Sequence, residues 1–399
     1  MSYTGGVKKM DTVIINRTAR LLAGHLWVFS NELEGSPKKY QPGSIVELRG
    51  KKNEFLGVGY VNPASLISVR VLSRENEQID AGFFKRRIEG ALRYRRRFIT
   101  DGPQSAYRAV YSEGDLLPGL IVDKYGDTVT VQFLTLGMDA RSEMILGVID
   151  EVFKPNAIVL KNDSTIRTLE GLPLEKKIIK GSLDKLPVVS INGVLFEVDP
   201  MAGQKTGFFL DQTENRAAFA RLTAPGRALD LFSYTGGWAI EMAMRDGVTV
   251  TGVDSSEAAI AQAQKNAHLN KVGDRCEFVK SDVFEFLRAR AAEKSRYDFI
   301  ALDPPAFVKS KSHVKEGAKA YREINASAIR LLNEGGIIAT SSCSYHIDRN
   351  TFLDILCLAA RDAGRTLRTI EVRSQAKDHP VLLTVPESEY LKCVFLQAF

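Results

Sequence analysis

Segments typical of strands and of helices alternate along the second half of this chain, from about residue 191 onward. Apolar runs at residues 227–232, 248–253 and 335–340 each stop at polar or glycine-containing stretches, and helical patterns follow the first two. Parallel strands need crossover connections, most often helices, so this alternation is typical of a doubly wound parallel sheet. The sequence therefore predicts an α/β fold whose C-terminal domain, residues 191–399, is Rossmann-like.

Two smaller domains are predicted ahead of this sheet. Short β-like runs separated by glycine, proline and asparagine turns over residues 1–76 indicate a small β-barrel. Residues 77–190 begin with an arginine-rich helical stretch and continue as a mixed α+β unit. At the other end of the chain, residues 380–385 and 391–395 are expected to form an antiparallel hairpin that closes the sheet.

The first 100 residues are strongly basic. They hold 18 Lys and Arg against 9 Asp and Glu, although the whole chain carries a net charge of only +6. Such asymmetry favours a surface that faces nucleic acid over a merely solvated basic face. The densest basic run is helix-like, and Arg86, Arg93 and Arg97 share one side of it. We therefore expect Arg93 and Arg97 to contact a nucleic-acid substrate.

The cysteines and the chain start bound the class of protein. Four cysteines lie far apart without a CxxC pair, which predicts neither a zinc site nor a disulfide framework. Cys276, Cys357 and Cys393 fit inert core thiols. No apolar run reaches the roughly 18 residues that span a bilayer, and residues 1–6 do not resemble a signal peptide. We expect a cytoplasmic protein without metal or membrane contact.

Two predicted strand ends carry reactive residues. Asp303, Pro304 and Pro305 follow one buried run, and Cys343 follows the run at 335–340. Ligands of open α/β sheets bind outside the carboxyl ends of the strands, so the carboxylate and the thiol are expected to face one crevice. A lone cysteine at a strand end is more often a buried structural residue, so this pair needs support from the rest of the chain.

A glycine-containing loop and the acidic residues after it predict a nucleotide-type cofactor site. Glycines such as Gly236 let the backbone approach a ligand at a helix N-terminus. Asp254, at the next strand end, is placed to accept the hydroxyls of a ribose, or else to cap the helix that begins near Ser255. Asp282 suits an adenine amino group, and Val283 can donate its backbone N–H. The missing third glycine argues against NAD, so an adenosyl cofactor is favoured.

Five motifs make the chain resemble the S-adenosylmethionine-dependent methyltransferases, and more closely the large-subunit (23S) rRNA 5-methylcytosine methyltransferases. They are GQKTGFFLDQ (203–212), DLFSYTGG (230–237), DPPAF (303–307), SCS (342–344) and DHP (378–380). The resemblance implies an N-terminal PUA domain, a middle α+β domain and a C-terminal class I methyltransferase domain. It also implies that S-adenosylmethionine is converted to S-adenosylhomocysteine, that cytosine 1962 of 23S rRNA is methylated, and that the protein is a homodimer.

The resemblance adds Lys205 and Thr206 to the residues that wall the cofactor site. The full predicted cofactor set is Lys205, Thr206, Asp230, Phe232, Ser233, Gly236, Asp254, Ser255, Asp282, Val283 and Asp303.

The thiol of Cys343 suits methylation of a ring carbon. A thiolate that adds to C6 of cytosine makes C5 nucleophilic, and loss of the C5 proton later expels the thiol. Asp303 can bond N3 or N4 of the base, while Pro304 and Pro305 stiffen that edge. Phe307 is expected to stack on the base, a contact worth roughly 1–3 kcal/mol. Cys343 and Asp303 are thus the predicted catalytic residues.

Other assignments stay open at the level of sequence. Some cytosine-C5 enzymes carry a second cysteine where this chain has Ala306, so the group that removes the C5 proton is unassigned. His346 is near in sequence, with a helix-cap or surface role equally compatible, and His379 fits a structural role in its loop. Alternative functions are RNA N-methylation at guanine N7 or an exocyclic amine, which needs no thiol, and non-catalytic RNA binding.

Overall fold

A computed structural model describes residues 10–308 and 310–399 of the chain. Residues 1–6, on which the absence of a signal peptide was predicted, lie outside these ranges. The contacts divide the chain into two compact units. The first comprises Met1–Pro187, Val198–Phe208 and Lys377–Ser388, and the second comprises Val188–Glu197, Phe209–Ala376 and Glu389–Phe399.

The first unit begins with a small five-stranded sheet. Its elements are β1 (Asp11–Ile15), α1 (Ala19–Leu22), β2 (Trp27–Val28), β3 (Ile45–Gly50), β4 (Phe55–Val61) and β5 (Val69–Ser73), with the strands in the order β1-β3-β4-β5-β2. The pairing is antiparallel except between β1 and β3. Side chains alternate in burial along β3, so one face covers an apolar core.

A second five-stranded sheet follows in the same unit. Its elements are α2 (Ala81–Arg95), β6 (Ala106–Tyr111), β7 (Leu120–Tyr125), β8 (Thr128–Phe133), α3 (Leu136–Asp139), α4 (Ser142–Phe153), β9 (Ala157–Asn162), α5 (Ile166–Leu169) and β10 (Glu175–Lys180), in the strand order β10-β9-β8-β7-β6. Tyr60 and Leu72 of the first sheet are buried in one cluster with Phe83 and Ile88 of α2. This shared core joins the two sheets, so a domain boundary at residue 76 stays a prediction.

The arginine-rich helix differs in one detail from its prediction. Asp80 starts α2 by accepting a hydrogen bond from the backbone N–H of Phe83 (2.9 Å). The helix ends at Arg95, so Arg97 lies in the turn after it rather than on the helical face of Arg93. Arg95 itself is buried and forms two hydrogen bonds with Asp115, the longer of 2.7 Å.

The second unit contains the predicted doubly wound sheet. Its elements are the hairpin β11 (Val188–Ile191) and β12 (Val194–Glu197), then α6 (Thr213–Ala220), β13 (Gly226–Leu231), α7 (Gly237–Ala243), β14 (Val248–Asp254), α8 (Glu257–Leu269), β15 (Cys276–Lys280), α9 (Val283–Ala292), β16 (Tyr297–Leu302), α10 (Val314–Arg330), β17 (Leu332–Ser342), α11 (Arg349–Ala363), β18 (Leu367–Arg373) and β19 (Lys392–Ala398). The large sheet has the order β15-β14-β13-β16-β17-β19-β18, and its first five strands are parallel.

The antiparallel pair that closes the sheet is not the predicted one. β19 pairs with β17 and with β18, whereas residues 380–385 form no strand beyond an isolated bridge between Leu382 and Val385. Val385 is fully buried in the core of the first small sheet, and Leu382 packs against that core. The segment is therefore apolar because it packs in the core of the first unit, and not because it forms a strand of the large sheet. No helix among the described residues is long and apolar enough to cross a membrane.

Candidate active site

The chemistry-bearing residues of the second unit collect at the carboxyl edge of the large sheet. The strand order reverses between β13 and β16, and such switch points are where open α/β sheets bind ligands. The side chain of Gln212 ties this edge together, since its Nε2 donates to Asp303 Oδ1 (2.9 Å) and to Ser341 Oγ (3.0 Å). Asp303 at the end of β16 and the end of β17 are thereby held side by side.

The loop after β13 has an unusual backbone. Phe232, Tyr234 and Gly236 all have positive φ, of 64°, 47° and 85°. Two non-glycine residues in this region cost on the order of 1–3 kcal/mol each, and such strain clusters at ligand sites. The conformation is held by Asp254 Oδ2, which accepts the N–H of Tyr234 at 2.9 Å. This strained backbone supports the predicted close approach of a ligand to the loop, which stays a prediction.

Asp230 lies beneath this loop and is buried. Its Oδ2 accepts the N–H of Ala239 in α7 at 2.8 Å. Burial, reinforced by the charges of Asp303 and Asp254, raises the pKa of Asp230 to about 8. Its carboxyl group is therefore largely protonated at neutral pH, and Asp230 joins the loop to α7 as a neutral group.

Buried oxygens at the same edge fit a polar ligand. Among the described residues, Asp230 Oδ1, Ser233 Oγ and Thr235 Oγ1 are buried without a hydrogen-bond partner. Unsatisfied buried polar atoms are costly, so a concentration of three at the end of β13 and in the loop after it is typical of a site that a bound molecule completes. This observation supports the predicted adenosyl cofactor at the edge of β13.

Asp254 and Asp282 both accept backbone N–H groups next to a helix start, but only Asp282 is a helix cap. Asp254 Oδ1 accepts the N–H of Ser256 at 2.9 Å, ahead of α8. Asp282, which is exposed, caps α9 by accepting the N–H of Glu285 at 3.0 Å. The capping alternative for Asp254 is wrong, because α8 is capped by Ser256, whose side chain accepts the N–H of Ala259. Each bond leaves further acceptor sites on the carboxylate, so these bonds and ligand binding are compatible.

The other predicted cofactor residues near these strand ends differ in exposure. Phe232 is half-buried, Ser255 is exposed at the end of β14, and Val283 is buried as the first residue of α9.

Cys343 lies next to the Asp-Pro-Pro segment. Its Sγ is 4.0 Å from the carbonyl oxygen of Pro304, and the residue is partly exposed. Asp303 is fixed from a second side by Trp238, whose Nε1 donates to Oδ2 at 3.3 Å. The predicted pair of a thiol and a carboxylate is therefore brought together by β16 and β17.

Gln212 and Trp238 were missed by the sequence reasoning. Gln212 closes the quoted motif 203–212, which was the available signal, whereas nothing in the sequence distinguished Trp238 from a core aromatic residue.

The aromatic side chains next to the thiol pack against the core. The ring of Phe307 lies 4.7 Å from that of Tyr321 and 6.4 Å from that of Phe284. The hydroxyl of Tyr321 lies 2.9 Å from Ser344 Oγ, which also accepts the N–H of Val308. Phe307 is half-buried in this cluster, so only part of its ring is available for stacking on a base. Pro305 is exposed, whereas Pro304 is buried.

Four predicted site residues belong to the first unit. Thr206 is fully buried, and its hydroxyl bonds Tyr125 (2.9 Å) and Asp123. Lys205 is exposed with a φ of 50°. Arg93 and Arg97 are both exposed, as an RNA contact requires.

The two histidines discussed from the sequence lie in different units. His379 is buried in the first unit with its Nδ1 2.7 Å from Asp378 Oδ1, while Asp378 Oδ2 accepts the N–H of Arg108. This anchoring agrees with a structural role for His379. His346 is partly exposed in the second unit beside Tyr345. No group of three or more potential metal ligands occurs in the described ranges.

Comparisons with known proteins fit both units. Residues 13–74 match a PUA-like domain and residues 222–380 match a methyltransferase domain. The chain is similar to a chain from Streptococcus mutans that is assigned as a SAM-dependent methyltransferase, with a TM-score of 0.83, 21% identity, and 97% and 100% of the two chains covered. A further solved methyltransferase, complexed with SAH, gives a TM-score of 0.85 at 21% identity and the same coverage. The predicted α/β fold with its PUA-like start is confirmed.

Curated relatives extend over nearly the whole chain. The ribosomal RNA large subunit methyltransferase I of Klebsiella pneumoniae strain 342 is 37% identical over 380 residues, which is 94% of this chain and 95% of that protein. The protein of the same name from Tolumonas auensis is 36% identical over 390 residues, 96% and 98% of the two chains. With relatives of this identity and coverage, the chain belongs to the ribosomal RNA large subunit methyltransferase I family.

Proposed function

We propose that this protein transfers a methyl group from S-adenosylmethionine to C5 of a cytosine in large-subunit (23S) rRNA, with Cys343 as the nucleophile. The observation that carries the proposal is the 4.0 Å contact between Cys343 Sγ and the carbonyl oxygen of Pro304, beside the anchored carboxylate of Asp303. N-methylation has no use for a thiol at this position, whereas C5 methylation requires one. The names of the relatives support large-subunit rRNA as the substrate.

The cofactor site is proposed at the carboxyl ends of β13, β14 and β15. When bound there, S-adenosylmethionine supplies an electrophilic methyl group. Asp254 would accept the ribose hydroxyls, and Asp282 with the N–H of Val283 would recognise the adenine. The strained loop after β13 brings Ser233 and Gly236 to the same edge, and the unpartnered oxygens of this loop support its contact with a polar ligand.

The residues around the thiol have separate roles in the proposed reaction. The thiolate of Cys343 adds to C6 of the cytosine, which gives C5 the electron density to attack the methyl group. The carboxylate of Asp303 accepts a hydrogen bond from the N4 amino group and so orients the ring. Gln212 and Trp238 keep that carboxylate in place by two hydrogen bonds. Departure of the C5 proton restores the aromatic ring and releases the thiol.

An exposed patch of the first unit has the properties of an RNA-binding surface. Arg93 and Arg97 are exposed, and Phe98 lies beside them with 47% of its surface accessible. The Phe98 ring lies 5.1 Å from that of Tyr94 and 5.7 Å from the Nζ of Lys377. Aromatic faces set among cations suit single-stranded RNA, since bases stack on the ring while the cations neutralise phosphates.

The proposal is tested by methylation of large-subunit rRNA isolated from a strain without this gene. Purified protein, labelled cofactor and RNA are incubated, and the digested nucleosides are separated by mass spectrometry. We expect 5-methylcytidine with the wild-type protein, none with Cys343→Ala, and an unchanged amount with Cys357→Ala. Cys357 is a matched control because it is exposed, and not in the core as its sequence pattern predicted. Methylated guanosine or adenosine that persists in Cys343→Ala would favour the N-methyltransferase alternative.

The remaining expectations have direct assays. Binding of RNA without any methylated product, together with no heat of cofactor binding in calorimetry, would favour the non-catalytic alternative. Mapping of the modified nucleotide tests cytosine 1962 as the target. Light scattering of the purified protein tests the homodimer, and cell fractionation tests the cytoplasmic location.

A further inference from the structure

A buried lysine adjoins the strand end that carries Cys343. Lys392, the first residue of β19, is only 5% exposed. The antiparallel register of β17 and β19 sets it opposite Ser342, the residue before Cys343. Its Nζ donates to the carbonyl oxygen of Ser344, the residue after Cys343, at 2.7 Å. The ammonium group is therefore hydrogen-bonded to the backbone of the residue that directly follows the thiol-bearing residue.

The charge of Lys392 is not matched by a carboxylate in contact with it. Within the described ranges, both hydrogen bonds of its Nζ go to neutral carbonyl groups, those of Ser344 and Tyr390 (2.9 Å). A buried charge without an ionic partner is expensive, so a lysine at this place calls for a compensating negative charge. Burial lowers the pKa of Lys392 to about 8, and the charge that opposes this shift most strongly is that of Cys343.

The other charged groups that face Lys392 are engaged elsewhere. Asp348 is exposed and caps α11 by accepting the N–H of Thr351 at 2.7 Å. Glu389 forms an ion pair with Arg349. These two carboxylates act on Lys392 more weakly than Cys343 does.

The polar group that α10 contributes on this side of the sheet is uncharged. It is the hydroxyl of Tyr321, which lies against Ser344 Oγ. A thiolate at Cys343 is thus the anion best placed to balance the lysine.

We propose that Lys392 holds Cys343 in its ionised form and is a positioning residue for the nucleophile. The inference rests on the proposed function only in taking Cys343 as the reactive thiol. The proton of the thiol passes to bulk water, and Lys392 keeps its three protons and forms no bond with sulfur. An opposite charge within about 4–6 Å favours the charged form of a group by about 1–3 pH units. Lys392 thereby favours the thiolate of Cys343 at neutral pH.

Three substitutions separate this electrostatic role from a structural one. Lys392→Arg keeps the positive charge. Lys392→Gln removes the charge but keeps an N–H donor for the carbonyl of Ser344. Lys392→Met removes both. An electrostatic role predicts that Gln and Met behave alike and that Arg resembles the wild type, whereas a purely structural hydrogen bond predicts that Gln resembles the wild type.

The readout is the rate of iodoacetamide alkylation of each cysteine against pH, resolved by mass spectrometry of peptides from the full-length protein. With Gln or Met at position 392, we expect the pH midpoint for Cys343 to rise by about one unit or more and its rate at pH 7 to fall roughly tenfold. Exposed Cys357 is the internal reference, with an unchanged profile. Buried Cys393 reports folding, because it stays unmodified in every folded variant.

An unchanged Cys343 midpoint in Lys392→Gln overturns the proposal, also if Lys392→Met fails to fold. The assay contains no RNA, so its outcome is independent of the methylation test. A shifted midpoint together with normal methylation by Cys343→Ala would keep the coupling of lysine and thiol and refute the covalent function. An unshifted midpoint together with inactive Cys343→Ala would refute the coupling of lysine and thiol and keep the covalent function.

Discussion

Asp230 gives the prediction whose magnitude follows most directly from the structure. Its carboxyl group is fully buried beneath the loop after β13, with a pKa raised to about 8 from 3.8 chiefly by burial. In the unfolded chain the group ionises near its ordinary value, so folding is opposed by the cost of reprotonating it. The contribution is most favourable below about pH 4, is lost progressively as the pH rises, and changes no further above pH 8.

The size of this loss follows from the shift. Each pH unit between the two pKa values costs about 1.4 kcal/mol, so the wild type loses on the order of 4 kcal/mol by pH 7. Asp230→Asn keeps the oxygen that accepts the N–H of Ala239 and has no ionisation to oppose. We therefore expect the variant and the wild type to be similar near pH 4, and the variant to gain in relative stability up to pH 8.

Urea unfolding measured from pH 5 to 9 tests this expectation. The chain has two tryptophans, so a Trp27→Phe background lets the fluorescence of Trp238 report the second unit alone. Asp246→Asn, at a fully exposed site, is the matched control and should give the same small effect at every pH. A difference in free energy between Asp230→Asn and the wild type that does not vary with pH would refute the assignment of a neutral carboxyl group beneath the loop.

Two further predictions concern the substrate. Replacing Gln212 by Leu removes the hydrogen bond that holds Asp303 beside β17. The kcat for RNA methylation should therefore fall by about tenfold or more, while cofactor affinity in calorimetry changes little. A loss of cofactor affinity alone would contradict this division of roles. Arg93→Gln and Arg97→Gln should each weaken RNA binding and reduce the slope of log K against log salt by about 0.7. Arg361→Gln, at an exposed site in the second unit, should leave the RNA affinity and the slope unchanged. Equal effects at all three positions would indicate a non-specific response to charge.

The sequence was sufficient for the parts of the site that depend on strand ends. Asp303 and Cys343 were predicted to meet because parallel strands bring their carboxyl ends to one edge, and β16 and β17 are neighbours in register. Local periodicity could not show which partner a segment packs against. Residues 380–385 have a strand-like apolar pattern, yet Val385 is buried in the core of the first unit, a contact more than 300 residues distant in sequence from most of that core.

Side-chain roles set by long-range contacts were likewise beyond the sequence. Lys392 reads as one polar residue in an apolar strand, and only the pairing of β19 with β17 sets it opposite Ser342. Gln212 could be picked out from its motif, but its bridge between Asp303 and Ser341 depends on three separate elements. The arginine-rich helix was correctly located, whereas the burial of Arg95 at its end and the bonds of that residue to Asp115 could not be predicted from local sequence.

The central claim is that Cys343 bonds covalently to a cytosine. A large-subunit rRNA fragment containing 5-fluorocytidine tests it, because fluorine at C5 cannot leave as the proton does and the adduct therefore accumulates. With cofactor present, we predict a complex that survives denaturing electrophoresis and whose cross-linked peptide contains Cys343; Cys343→Ala should give none, and Cys357→Ala should give the wild-type amount. Methylation of the unmodified RNA without any trapped adduct, or an adduct at a different residue, would contradict the account.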